Sequence, residues 1–164
     1  RGCFGGRYDS ASRWVDILAE KTGWDILNLG ENGRDIPAAA VSFPAGTDLL
    51  IVMLGINDLL MGRSPEAATE RMAHFLTSLE LERNKILLVA PPPAVPGTWV
   101  PDRRLVDASA ALAKQYQLLT DRLGIRFADA GAWNVSLSYD GVHFTPHGHR
   151  AFADGLFREL SRST

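Results

Sequence analysis

Apolar positions recur along this chain in two ways, at helical spacing in some stretches and as unbroken runs in others. From Ser10 to Thr22, Trp14, Ile17 and Leu18 share one helical face, with Ser10 as candidate N-cap and Gly23 as stop. Trp24 to Leu29 reads as a short strand ending in the Gly30-Glu31-Asn32-Gly33 loop. Asp48 to Leu54 is a continuous apolar run, the mark of a strand covered on both faces in a parallel sheet, and it stops at Gly55-Ile56-Asn57-Asp58. Ser64-Pro65 opens a helix carrying Ala68, Met72, Phe75, Leu76 and Leu79. Lys85 to Ala90 is another buried strand, ended by Pro91-Pro92-Pro93, which supply no ladder donors. After a long loop to Pro101, Leu105, Leu112, Tyr116, Leu119 and Leu123 mark a helix closed by Gly124. Ile125 to Ala130 is the last strand, and Thr145-Pro146 caps a final helix bearing Phe152, Leu156 and Leu160.

Strands alternating with helices predict an α/β fold, a three-layer α/β/α sandwich with a mainly parallel central sheet. Ligands of such sheets lie beyond the carboxyl ends of the strands. The loops at Gly30 to Gly33, Gly55 to Asp58 and Gly131 to His143 all follow strands on this reading, so they converge on one crevice.

Composition narrows the rest. A chain of 164 residues, 46% apolar and 22% charged, suits one domain spanning 1–164. A net charge of −2 with interspersed acids and bases offers no basic stripe, so nucleic acid is not an expected partner. No apolar run is long enough for a membrane helix, and the single Cys3 cannot form an internal disulfide. With no signal peptide visible after Arg1, a cytoplasmic protein is expected. The loop from Pro91 to Pro101 is a candidate contact surface for a homo-oligomer.

The chemistry-bearing residues are few. Asp140 stands three residues before His143, where it can accept from Nδ1 and leave Nε2 to act as a base. A surface loop holding both residue types by chance is the plain alternative. Asn57, after a buried strand, can turn its amide toward an oxyanion, although Asn-Asp is also common turn chemistry. Gly33 can bring its backbone N–H close to a ligand, or serve only as a turn. His143 and His147 with Asp140 suggest a metal site, opposed by the expectation that His147 and His149 face different ways on the last helix. His74 reads as a partly exposed helix residue. Trp99 either lines an acyl or alcohol pocket or pins down its loop.

Together, Gly30-Glu31-Asn32-Gly33, Gly55-Ile56-Asn57-Asp58 and Asp140-Gly141-Val142-His143 resemble, in order and placement, the successive motif blocks of the SGNH or GDSL hydrolase family. Ala90-Pro91-Pro92-Pro93 and Phe127-Ala128-Asp129-Ala130-Gly131 resemble its arylesterase and acyltransferase branch. The resemblance implies a flavodoxin-like sandwich and a serine esterase or acyltransferase needing no cofactor. It implies action on short-chain acyl or aryl esters, with a small-molecule ester as substrate. Asp140 and His143 are then triad members, while Gly33 and Asn57 form the oxyanion hole. The family's Gly-Asp-Ser block is not found in the sequence. Tyr8-Asp9-Ser10 is the nearest string, and the expectation is a nucleophile upstream of Arg1, carried on a central strand that precedes it. The alternative is a catalytically inactive ligand-binding module of the same fold.

Overall fold

A computed structural model describes residues 10–39 and 41–162. Cys3 and the Tyr8-Asp9 pair lie outside the described residues. The elements are α1 (Trp14–Thr22), β1 (Leu50–Val52), α2 (Ile56–Leu60), α3 (Pro65–Ser78), β2 (Ile86–Ala90), α4 (Arg103–Leu123), β3 (Arg126–Asp129) and α5 (Pro146–Ser161). The described strands form a parallel sheet in the order β1-β2-β3, in which Ile51 stands opposite Leu87 and Leu88 opposite Phe127.

Alternation along β2 sets the layers, because successive side chains point to opposite faces. Ile86, Leu88 and Ala90 pack with Met72, Phe75 and Leu76 of α3 and Leu112, Tyr116 and Leu119 of α4. Leu87 and Val89 pack on the other face with Leu18 of α1 and Phe152 and Leu156 of α5. β2 is buried throughout, so the unbroken apolar run of the sequence is what a doubly covered strand needs. The expected α/β/α sandwich is present.

Helix boundaries follow local chemistry. Ser64 Oγ accepts from the Ala67 amide and Thr145 Oγ1 from the Gly148 amide, each with a proline at the first helical position. Asp102 caps α4 by accepting from the Arg104 amide at 2.8 Å. α1 differs from expectation. It starts at Trp14 rather than near Ser10, with Ser10–Ser12 a single 3₁₀ turn and Arg13 at the cap without a side-chain bond. The reason is tertiary, since the Trp14 amide donates to His149 Nδ1 of α5 at 3.1 Å and needs no local cap.

The stretch Trp24 to Leu29 also departs from expectation and joins no ladder. A strand exists only by its neighbour. β1 pairs with β2 on one side, and on its other side a cavity separates it from residues 24–34. Trp24 and Leu27 are accordingly exposed.

Candidate active site

The cavity beside β1 has a volume of about 820 Å³ and is bounded in part by Gly33, Asn57 and His143. These three residues, predicted from separate blocks, therefore share one wall system. Among the described residues that line it there is no serine.

The Asp140–His143 pair sits in a hairpin-like loop before α5. The Ser138 amide donates to the His143 carbonyl at 2.7 Å and the Thr145 amide to the Ser136 carbonyl at 3.1 Å, which brings Leu137 and Phe144 into an antiparallel bridge. Asp140 is fully buried. Its Oδ1 accepts from the Val142 and His143 amides at 2.8 and 2.9 Å, and its Oδ2 lies 2.8 Å from His143 Nδ1. Burial alone raises the carboxyl's pKa, but the hydrogen bonds from the His143 and Val142 amides and the imidazole outweigh it and hold the group below the usual Asp value. An ionised carboxylate at Nδ1 favours the tautomer with its proton there, so Nε2 is the nitrogen left to take a proton.

A second loop holds this hairpin from outside. The Val95 amide donates to the Gly141 carbonyl at 3.0 Å, the Thr98 amide to Tyr139 and the Trp99 amide to Asp140, both at 3.1 Å. Main chain lies directly on main chain. A Cβ at Gly97 would stand 2.5 Å from the Asp140 carbonyl carbon, and one at Gly141 would stand 2.2 Å from the Val95 oxygen. Trp99 rests its ring 5.0 Å, centroid to centroid, from the His143 imidazole and nearly perpendicular to it.

Asn57 is placed by an element that the sequence conceals. The segment expected as a loop, Gly55 to Asp58, opens the short helix α2. Gly55 has φ 132°, and a Cβ there would meet Tyr116 Oη at 2.4 Å, so only glycine lets the chain leave β1 and turn into α2. Tyr116, fully buried, donates to the Leu54 carbonyl at 2.9 Å. Asn57 Nδ2 donates to the Arg34 carbonyl at 3.0 Å, which fixes the amide with one N–H spent and the other left for the cavity. Gly33, at φ 70°, is one residue from that carbonyl.

Four charged side chains hold this half of the site. Buried Asp58 accepts from the Ile36 amide at 2.9 Å, from Arg71 Nε at 3.0 Å and from Arg63 Nη1 at 3.3 Å. Both guanidiniums also reach Asp35, and Arg71 Nη2 donates to the Ile36 carbonyl. The network ties residues 35 and 36 of the Gly33 loop to α2 and α3. Sequence reasoning missed it, taking Asp58 for turn chemistry. The available signal was two arginines five and thirteen residues after an aspartate that follows a buried strand.

The histidines separate as expected on α5, His147 exposed and His149 fully buried. Among the described residues no group of three His, Cys, Asp or Glu could hold a metal ion. Nor is any described helix long and apolar enough to cross a membrane. His74 is exposed on α3.

Solved structures share this architecture. An Agrobacterium tumefaciens str. C58 protein described as an arylesterase matches with a TM-score of 0.77 at 27% identity, covering 99% of this chain and 92% of that one. The aryl esterase of M. Smegmatis matches at 0.78 and 22% identity, over 95% and 87% of the two chains. A carbohydrate acetylesterase from Sinorhizobium meliloti matches at 0.78 and 21%, over 96% and 88%. No curated protein matches in sequence. The sequence profile of the GDSL-like lipase/acylhydrolase family matches residues 2–151, nearly the whole chain, and in keeping with the ordered blocks around its cavity the chain belongs to that family of ester-hydrolysing enzymes.

Proposed function

We propose that the protein hydrolyses short-chain acyl or aryl esters by a serine mechanism, with transfer of the acyl group to an alcohol as the variant outcome. One observation carries the reading: the imidazole oriented by Asp140 opens on the same cavity as Gly33 and the Asn57 amide. His143 Nε2 takes the proton of a serine hydroxyl as its oxygen attacks the ester carbonyl. The Gly33 N–H and the second N–H of the Asn57 amide donate to the oxyanion that forms. The C–O bond then breaks, the alkoxide leaves with the proton from His143, and water or an alcohol repeats the sequence on the acyl-enzyme.

The attacking serine is assigned to chain outside the described residues, since no described serine lines the cavity. That same observation favours a second reading, an inactive module that binds ligands in the cavity. A fluorophosphonate probe separates them. Labelling of a single serine, located by peptide mass and blocked by His143→Ala, is the expected result. A folded, full-length protein that stays unlabelled and leaves p-nitrophenyl acetate intact is the binding module.

A further inference from the structure

The two sides of His143 are chemically different. Inward lies the cavity with Gly33 and Asn57, and Trp99 is not among its lining residues. Outward, the imidazole meets the Trp99 ring, which is 47% exposed, with Val95 and Tyr139 also exposed on the two hydrogen-bonded loops beside it. His143 is the shared partition.

Proton transfer fixes which part of a substrate belongs on each side. In the reaction proposed above, on which this inference rests, the carbonyl oxygen is committed to Gly33 and Asn57 inside the cavity. The departing oxygen must lie within hydrogen-bond reach of the imidazole that protonates it. A group bonded to that oxygen emerges past His143, and the surface waiting there is Trp99. Aromatic rings pair favourably at centroid distances of roughly 4.5–7 Å. An imidazole 5.0 Å from the indole leaves a ring on the departing oxygen within that range of the indole's exposed part.

We propose that Trp99 is the specificity-determining residue of the leaving-group side and that it selects esters of phenolic alcohols. The aryl ring stacks on the indole while His143 gives its Nε2 proton to the phenoxide oxygen released as the acyl C–O bond breaks. Placement of the indole depends on backbone alone, through the Trp99 amide on the Asp140 carbonyl, so side-chain replacements leave the loop joint in place.

The test compares the full-length protein with Trp99→Ala and Trp99→Phe on phenyl acetate and ethyl acetate, which share an acyl group and differ in the alcohol. Trp99→Ala is expected to lose about tenfold in kcat/KM on phenyl acetate and to stay within about twofold on ethyl acetate, with Trp99→Phe recovering most of the loss. Equal losses on both esters overturn the proposal and make Trp99 a buttress for the imidazole. Phenol affinity, followed by chemical-shift titration, is independent of turnover. It should weaken about tenfold in Trp99→Ala, and unchanged affinity overturns the proposal even if the wild type cleaves neither ester. Loss of turnover on both esters in the wild type, with phenol binding still dependent on Trp99, refutes the hydrolase reading alone.

Discussion

His149 makes the fold sensitive to acid in a window of its own. The residue is fully buried on α5, its Nδ1 accepts from the Trp14 amide, and Phe144 packs against its ring. Burial first, and then neighbouring positive charge including Arg13, pushes its pKa down from 6.5 to about 4. Between these values the unfolded chain takes up a proton here and the folded chain does not, so stability is complete above pH 6.5 and falls as pH falls toward 4. Each pH unit of that window is worth about 1.4 kcal/mol, which gives a total of about 3 kcal/mol. For a domain of ordinary stability that is a large fraction. Urea unfolding followed by tryptophan fluorescence from pH 7 to pH 4 should show the decline. His149→Asn, which keeps an acceptor near the Trp14 amide but does not titrate, should show a flatter one. Asp140 does not confuse the measurement, because a carboxyl held below its ordinary value loses its contribution only at lower pH, as pH falls through its folded-state pKa. Parallel pH profiles for wild type and His149→Asn would refute the reasoning.

Three further outcomes follow from the site. Asn57→Ala should lower kcat by about two to three orders of magnitude on p-nitrophenyl acetate with little change in KM, and unchanged turnover removes Asn57 from the oxyanion hole. Asp140→Asn presents an amide N–H to Nδ1, favours the other tautomer and should cost about four orders of magnitude in kcat at neutral pH; a loss below about tenfold contradicts the assigned orientation of His143. Arg71→Ala leaves buried Asp58 with Arg63 as its remaining cationic partner and should destabilise the fold by about 3 kcal/mol in urea unfolding, whereas a change under about 1 kcal/mol would show that water replaces the guanidinium.

What the sequence revealed was whatever its own neighbours decide. Ser64, Thr145 and Gly124 are caps because of residues within four positions of them, and Asp140 meets His143 across a single turn of chain. Elements settled by distant partners were illegible. Trp24 to Leu29 has strand composition, but a ladder needs a second strand, and β1 pairs on its other side with β2. The start of α1 was misread because its first amide is satisfied by His149, 135 residues away. Asn57 and Asp58 look like a turn locally, and only Tyr116 against Gly55 and Arg71 on Asp58 reveal that they open a braced helix. Likewise no local pattern announces that Gly97 and Gly141 must touch.

The joint between those two glycines involves peptide groups almost exclusively, and that divides the loop into parts with different freedom to change. Side chains at Val95, Thr98 and Trp99 can be exchanged by drift or by design without loosening the grip on the Asp140 carbonyl, because none of them supplies it. Selectivity for alcohols can therefore diverge among descendants of this chain, or be rewritten in the laboratory, while the proton-handling pair stays where it is.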